Sequence, residues 1–387
     1  MTARLVMEET YTGTEAEIRG KIGELFRSMR KQARKPKKRI LFLVDNHNWC
    51  WTSTARNIAK HIPEYHFQIE SAEQFRAHCD EMLAMCDLVY MRGYPFAFLD
   101  GLPQINKPYI WTLSTGGENL AMRIEQSLSY SAGASACVVQ CERSRREAEA
   151  AGIKNVVVIP NGVDVDHFRE RGANNFSEYD VGFAGNNEGA RGNLKGSGLV
   201  ADACSKLGIK YREVNKSNRI SYSDMPEFYR SVYIYAQPSD SEGCSNSVME
   251  AMSCGLLCLI CRGVGYHGEQ CHDDEVVFVE RSVEDVARKI EFLLRNPIKA
   301  RDIGRKARAF AERHSWPVMA RKHKDMIDNV FSSTMKNPMQ THCKNKCATC
   351  VFFKKSKEYI GCGWCILNPR KIFKHGEMLC GQHKHTV

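Results

Sequence analysis

One segment, residues 231–261, constrains the fold of this chain more than any other. It begins with an apolar run that ends at Pro238, continues through a polar turn, and closes with a second apolar run after Gly255. Three residues that commonly cap helices follow the polar turn: Ser245, Asn246 and Ser247. Because glycine commonly ends helices, the segment predicts a strand, a loop, a short helix ending at Gly255 and a second strand.

The loop and the helix of this unit each carry a glutamate, Glu242 and Glu250. The N–H groups at a helix start bind phosphate, and carboxylates beside them can accept hydrogen bonds from sugar or ribose hydroxyls. Ser247 and Glu250 also match a capping box, in which the glutamate bonds back to its own helix start. Glu242 has no comparable backbone role in a turn. The pair therefore favours ligand binding.

Four segments, in this order, resemble the family-4 glycosyltransferases. They are the hinge-like residues 158–168, the strand end at Gly185 followed by Lys195, the Glu-x7-Glu pattern at 242–250, and residues 314–316 before a last helix. The resemblance covers residues 135–330. It implies an α/β fold of two facing Rossmann-like domains (GT-B), a nucleotide-sugar donor such as a UDP-sugar, transfer with retention, and no catalytic metal.

The resemblance also implies roles for single residues. Glu242 would lie against the donor sugar, Glu250 against the ribose and Lys195 on the diphosphate. A lysine and a helix start would stabilise the negative charge that develops on the leaving diphosphate. The donor-binding set that follows is Gly185, Asn186, Lys195, Gly243, Ser245, Asn246, Ser247 and Glu250.

Two departures from the family pattern bear on the site. Asn186 stands where the family usually has an arginine, and Arg191 either supplies that charge from a longer loop or is a solvated loop residue. With Glu242 and Lys195, Arg191 completes the catalytic candidates. Ser114 stands where a histidine often follows a first-domain strand, so no first-domain catalytic residue is predicted. His267, in a glycine-rich loop, either contacts the donor or lies at the surface.

Composition separates the two ends of the chain from its middle. The net charge is +10, and Lys and Arg are concentrated in residues 1–39 and 336–387. Basic ends favour a polyanionic partner, either nucleic acid or an anionic membrane surface, although a solvated linker is the plain alternative. The sequence has 17 cysteines, no signal peptide and no apolar run long enough to span a membrane. These features predict a soluble protein of the reducing cytoplasm.

The last residues carry a cysteine pattern typical of metal sites. Two Cys-x2-Cys pairs can each hold one edge of a tetrahedral metal. A segment this short cannot fold on its apolar core alone, and structural zinc would offset the deficit. We expect zinc, with an iron–sulfur cluster as the alternative. The candidate ligands are Cys343, Cys347, Cys350, Cys362, Cys365, Cys380 and His383.

These patterns, together with the family resemblance, predict four domains. They are a basic helical extension (1–39), a Rossmann-like acceptor domain (40–160), a Rossmann-like nucleotide-sugar domain (161–335) and a Cys-rich, basic, metal-stabilised tail (336–387). The predicted activity is hexosyl or pentosyl transfer to a hydroxyl acceptor, in first place a hydroxymethylated base of DNA. One alternative is a surface-polysaccharide or lipid-linked glycan transferase at an anionic membrane. The other is a non-catalytic nucleic-acid-binding protein on a transferase scaffold.

Overall fold

A computed structural model describes most of the chain between residues 37 and 336. The described ranges are 37–45, 50–92, 107–113, 133–170, 177–186 and 194–336, with single residues 105, 124 and 128. Beyond residue 336, only the backbone of five short strands is described. The chain divides into two compact units, residues 1–38 and 39–387. Lys37 and Lys38 are the described residues of the first unit, and residues 1–36 of the predicted basic helical extension lie outside the described residues.

The first sheet has six parallel strands in the order β2-β1-β3-β4-β5-β6. Its strands are β1 (Arg39–Val44), β2 (His66–Ser71), β3 (Leu88–Arg92), β4 (Tyr109–Thr112), β5 (Ala136–Val139) and β6 (Val156–Val158). Ile40 and Phe42 pack on one face of β1, and Leu41 and Leu43 pack on the other. An unbroken apolar run is therefore required, because helices cover both faces of a parallel sheet.

The second sheet has five parallel strands in the order β11-β10-β9-β7-β8. Its strands are β7 (Tyr179–Ala184), β8 (Tyr211–Val214), β9 (Val232–Gln237), β10 (Leu257–Ile260) and β11 (Val277–Phe278). The strand order reverses between β7 and β9. In open α/β sheets, ligands bind beyond the carboxyl ends of the strands at such a reversal. The prediction of an α/β fold with two parallel sheets is confirmed.

Local sequence signals set the helix boundaries. The Ser71 and Ser282 side chains accept hydrogen bonds from the backbone N–H groups three residues later, and Pro297 begins a helix at the position where proline is tolerated. The helices are α1 (Cys50–His61), α2 (Ala72–Met85), α3 (Glu142–Ala150), α4 (Ser197–Leu207), α5 (Met225–Ser231), α6 (Asn246–Ser253), α7 (Gly265–Gln270), α8 (Val283–Arg295), α9 (Pro297–Glu312) and α10 (Trp316–Lys336). Among the described residues, no helix combines the length and apolarity needed to cross a membrane.

The last helix, α10, packs on the first sheet although it follows the second in sequence. The chain reaches it beside the hinge, where the Val163 N–H donates to His314 O at 3.1 Å and the Trp316 N–H donates to Val163 O at 3.0 Å. Trp316 covers Gly162 so closely that a Cβ there would lie 2.6 Å from the indole. Met319, Ile327 and other apolar residues of α10 join the core that contains β1.

A carboxylate in α7, a helix between two strands of the second sheet, caps α3, a helix between two strands of the first. Glu269 in α7 accepts hydrogen bonds from the backbone N–H groups of Glu142 and Arg143, both at 2.8 Å. Cys141, the residue before α3, makes no side-chain cap of its own. The first turn of a helix favours negative charge, so Glu269 stabilises α3 across the two halves of the protein.

Replacing Glu269 with alanine is expected to loosen the first turn of α3. The loss should be about 1–2 kcal/mol, as for other helix caps. Hydrogen exchange of the Glu142 and Arg143 amides should accelerate. Glu147→Ala in the same helix is the control, because its exposed ion pair with Arg143 contributes little. Unchanged exchange in the Glu269 variant would show that the cap is dispensable.

The described strands of the tail are antiparallel. Three pair as β12 (Phe353–Lys355), β13 (Gly363–Cys365) and β14 (Asn368–Phe373), and two pair as β15 (Glu377–Cys380) and β16 (His383–Thr386). The backbone register sets Cys380 opposite His383 in the second pair. The side chains of all seven candidate metal ligands lie outside the described part of the structure, and the four-domain division stays a prediction.

Candidate functional site

The reversal point of the second sheet brings together two segments that are far apart in sequence. Beyond β7 lie Gly185 and then Lys195, and beyond β9 lies the loop that carries Glu242. The Asp240 N–H donates to Leu194 O at 2.7 Å, which ties the two segments together. Gly196 adopts a φ of +75° and lies so close to Pro238 that a Cβ would meet its carbonyl oxygen at 2.5 Å. A glycine at 196 therefore allows Lys195 to approach the loop.

Lys195 and Glu242 form an ion pair at this edge. Lys195 Nζ lies 2.6 Å from Glu242 Oε1, and the two side chains are 24% and 15% exposed. The same Oε1 accepts hydrogen bonds from Gln237 Nε2 at 2.9 Å and Ser239 Oγ at 3.2 Å. Gly185 lies beneath the lysine stem, where a Cβ would come within 3.0 Å of Lys195 Cδ. The structure thus brings the two predicted residues into direct contact.

Gln237, at the end of β9, connects the ion pair to the start of α6. Its Nε2 donates to Ser245 Oγ at 3.0 Å as well as to Glu242, and its Oε1 accepts from Ser247 Oγ at 2.7 Å. The Tyr235 hydroxyl donates to the same Oε1 at 2.9 Å. Sequence analysis missed Gln237. The available signal was a polar residue at the end of an apolar run. Polar residues commonly stand where strands end, so this signal does not distinguish a functional residue.

The start of α6 differs from the capping box. Ser245 is the cap, and its Oγ accepts from the Val248 N–H at 3.4 Å. Ser247 instead binds Gln237. The capping-box interpretation is therefore wrong, because Glu250 lies in the second turn of the helix and accepts a hydrogen bond from the Tyr229 hydroxyl at 2.8 Å.

Burial raises the pKa of Glu250 to about 7, although the hydrogen bond from Tyr229 opposes the rise. The folded protein therefore holds a proton on Glu250 more tightly than the unfolded chain does. This contribution to stability is complete below the ordinary glutamate pKa and is lost as the pH rises through 7. Glu250 lies in the helix whose first residues adjoin the ion pair, and strongly shifted pKa values of this kind cluster at functional sites.

Wild type and Glu250→Gln should therefore differ in their response to pH. Glutamine keeps an acceptor for Tyr229 but cannot ionise. We expect the variant to become more stable relative to wild type between pH 5 and pH 8, because only wild type must ionise a buried acid. Thermal unfolding across this range measures the difference. A constant difference would mean that Glu250 ionises normally in the folded protein.

A small pocket adjoins Glu242, and His267 forms part of its wall. The lining residues are Gln237, Ser239, Glu242, Ser245, Val248, Ile260, Cys261, Val264 and His267. His267 is 4% exposed, so the alternative of a surface histidine is wrong. Its helix α7 is held on the Glu242 loop, since the Tyr266 N–H donates to Gly243 O at 2.7 Å. Gly243 was predicted to contact the nucleotide-sugar donor, and in the structure its carbonyl oxygen accepts the hydrogen bond that anchors α7.

A buried chain of hydrogen bonds links the first sheet to this site. Arg92, at the carboxyl end of β3, donates through Nη2 to Asn161 Oδ1 at 2.6 Å. Asn161 Nδ2 donates to Cys244 O at 3.0 Å and to Asn246 Oδ1 at 2.7 Å. The side chain of Asn246 therefore contacts the hinge and does not cap the helix, for which Ser245 is the cap. Sequence analysis assigned no role to Arg92 or to the Asn161 side chain, because their partners are distant in the chain.

Of two further residues that were predicted for the site, the structure describes one. Asn186 is placed just beyond β7, whereas Arg191 lies outside the described residues. Within the described ranges, no three His, Cys, Asp or Glu side chains group closely enough to hold a metal ion.

One family model matches part of the second half of the chain. Residues 204–310, which include Glu242 and Glu250, match the family model described as glycosyl transferases group 1. A search of curated proteins found no significant match.

Three solved structures share the fold. Anabaena HepE in complex with UDP and glucose is 14% identical, with a TM-score of 0.59 over 75% of this chain and 99% of that one. Sucrose-phosphate synthase from Thermosynechococcus elongatus is 12% identical, with a TM-score of 0.61 over 76% and 100%. A glycosyltransferase from Rickettsia africae is 14% identical, with a TM-score of 0.61 over 77% and 99%. The chain has the two-sheet GT-B fold of these glycosyltransferases, and the narrower assignment to family 4 stays a prediction.

Proposed function

We propose that the protein is a retaining glycosyltransferase that uses a UDP-sugar donor. The observation that carries the proposal is the Lys195–Glu242 pair beside the start of α6, at the strand-order reversal of the second sheet. The family match over residues 204–310 and the structure of Anabaena HepE in complex with UDP-glucose support the donor class.

In this proposal the protein stabilises charge on both sides of the bond that breaks. The bond between the anomeric carbon and the diphosphate oxygen breaks, and the acceptor hydroxyl forms a new bond on the same face. The acceptor proton passes to the leaving diphosphate oxygen. Lys195 and the N–H groups at the start of α6 stabilise the diphosphate, and Glu242 binds a hydroxyl of the sugar. Glu250 accepts a hydrogen bond from the ribose.

The contacts of Glu242 favour a binding role over a nucleophilic one. Its Oε1 receives three hydrogen bonds, from Lys195, Gln237 and Ser239. Hydrogen bonds to a carboxylate stabilise its charge and lower its reactivity. The same bonds fix the carboxylate in place, as a group that recognises a sugar hydroxyl requires.

For the acceptor we keep the proposal of DNA that bears hydroxymethylated bases. Its support is compositional, namely the excess of Lys and Arg in residues 1–39 and 336–387. A base in a duplex must be flipped out of the stack before it can enter an enzyme cleft. In the alternative of a glycan acceptor at an anionic membrane, the same basic residues would bind lipid head groups instead of DNA. One assay must therefore offer both kinds of acceptor.

The test is sugar transfer from radiolabelled UDP-, GDP- and ADP-sugars. The acceptors are DNA with hydroxymethylated pyrimidines, unmodified DNA and an anionic lipid extract. We expect label to move from a UDP-sugar, and Glu242→Ala to abolish the transfer. Glu291→Ala is the control, because that glutamate lies in α8 with a side chain that is 44% exposed and forms an ion pair with Arg295. Label in the lipid fraction alone would overturn the proposal of a DNA acceptor. If no donor is turned over, the proposal that the protein is a glycosyltransferase is wrong.

We also propose that the tail binds structural zinc through its cysteines and His383. Metal analysis of the full chain and of a chain that ends at Lys336, the last residue of α10, tests this. We expect zinc in the full chain and none in the shorter one. Iron with sulfide in place of zinc would favour the iron–sulfur alternative.

A further inference from the structure

A buried nitrogen in the wall of the pocket has no hydrogen-bond partner in the part of the chain that the structure describes. His267 is 4% exposed, and its Nε2 has no partner among the described residues. Leaving a polar atom unpaired in a protein interior costs about 1–3 kcal/mol. Such atoms are rare in folded proteins, and each one calls for an explanation.

The other polar side chains of the pocket bond to one another. Gln237, Ser239, Glu242 and Ser245 form one connected network. Of the buried side-chain polar atoms in the described lining, His267 Nε2 is the one without a partner. It therefore offers a hydrogen bond that the protein does not use internally.

The position of His267 relative to Glu242 is fixed by backbone contacts. Gly265 lies so close to the loop that a Cβ would come within 2.8 Å of Glu242 Cβ and 3.0 Å of Gly243 O. The Gly263 N–H donates to Gly268 O at 2.9 Å, which closes the loop on the other side of the histidine. The backbone on both sides of His267 is therefore held against the loop that carries Glu242, and both residues line the same pocket.

The chemistry of the ring selects the kind of ligand group. Burial, with a smaller contribution from His314, lowers the pKa of His267 to about 3, so the imidazole is neutral at physiological pH. A neutral ring nitrogen donates or accepts one hydrogen bond and carries no charge to attract a phosphate. A hydroxyl group satisfies it equally well in either tautomer.

We propose that His267 Nε2 forms a hydrogen bond with a hydroxyl of the transferred sugar, next to the hydroxyl that Glu242 binds, and so determines which sugar is accepted. The inference rests on the proposed function and adds the group that reads the sugar. Sites built to hydrogen-bond a substrate hydroxyl discriminate strongly against analogues that lack it, because the buried group is then left unpaired.

The test measures binding and turnover with the full-length chain. Dissociation constants are measured for UDP, UDP-glucose, UDP-galactose and UDP-N-acetylglucosamine, together with kcat/KM for each donor. The variants are His267→Phe, which removes the nitrogen, and His267→Gln, which keeps a polar group at similar reach. His323→Phe is the control, because His323 is also a buried histidine but bonds to Tyr90 on the first sheet.

We expect His267→Phe to weaken the preferred UDP-sugar by about 5- to 10-fold, the effect of one neutral hydrogen bond, and to leave UDP within about 2-fold. The preference among the three sugars should shrink, and His267→Gln should restore part of it. Equal weakening of UDP and UDP-sugar, or an unchanged sugar preference in both variants, would overturn the inference alone. Wild-type protein that binds neither UDP nor a UDP-sugar would overturn the proposed function as well.

Discussion

Replacing Lys195 with methionine is expected to lower kcat for sugar transfer by about 100- to 1000-fold, the effect of removing one preorganised group that stabilises charge in a transition state. Methionine keeps an apolar stem of similar length above Gly185 but cannot balance the charge on the leaving diphosphate. Steady-state kinetics with the preferred donor measure the loss. Lys206→Met is the control, because Lys206 is exposed and 3.8 Å from its partner Glu284.

Lys195 also holds Glu242 in place, so its two roles must be separated. A double-mutant cycle of Lys195→Met and Glu242→Gln does this. If the lysine acts on the diphosphate, the two losses multiply, because each residue stabilises a different part of the donor. If it acts only by positioning Glu242, the double variant is no slower than Glu242→Gln. A kcat for Lys195→Met within about 5-fold of wild type would contradict both roles.

Replacing Gly304 with alanine is expected to destabilise the protein by about 3 kcal/mol, at the upper end of the usual effect of overpacking. Gly304 lies where α9 crosses the turn after α6, and a Cβ there would lie 2.2 Å from Gly255 O. The obstacle is a backbone atom, and Gly255 itself has a φ of +74°. Neither side can yield by a side-chain rotation, so the helix must move.

Gly198→Ala is the matched control for Gly304→Ala. Gly198 lies in α4, where a Cβ meets nothing within 4 Å. Alanine there should raise stability by about 0.5–1 kcal/mol, because glycine weakens helices. Thermal unfolding of both full-length variants compares them. If the two glycines responded alike, the close crossing of α9 and the Gly255 turn would be wrong.

The sequence was most informative where the signals are local. The apolar run that ends at Pro238 and the caps around Ser245 predicted a strand and a helix start that the structure contains, because short-range packing and capping decide such elements. Glu242 and Lys195 were implied by resemblance to a family. Their 2.6 Å contact depends on β7 lying beside β9, which no local pattern encodes.

The features that sequence analysis missed depend on partners far along the chain. Glu250 looked like part of a capping box with Ser247, but Tyr229, 21 residues earlier, donates to it instead. Arg92 reaches Asn161 across 69 residues. In both cases the donor and the acceptor are ordinary polar residues in sequence, and only the sheet topology makes them neighbours.

The placement of α10 has a consequence for how the protein is synthesised. Strand β1 is complete at Val44, yet its core includes residues of α10, which begins at Trp316. At a translation rate of about 5–20 residues per second, β1 waits on the order of tens of seconds for this helix to leave the ribosome. During that interval the face that carries Ile40 and Phe42 lacks its final cover. The amino-terminal half therefore reaches its final packing only after the carboxyl-terminal half has been synthesised.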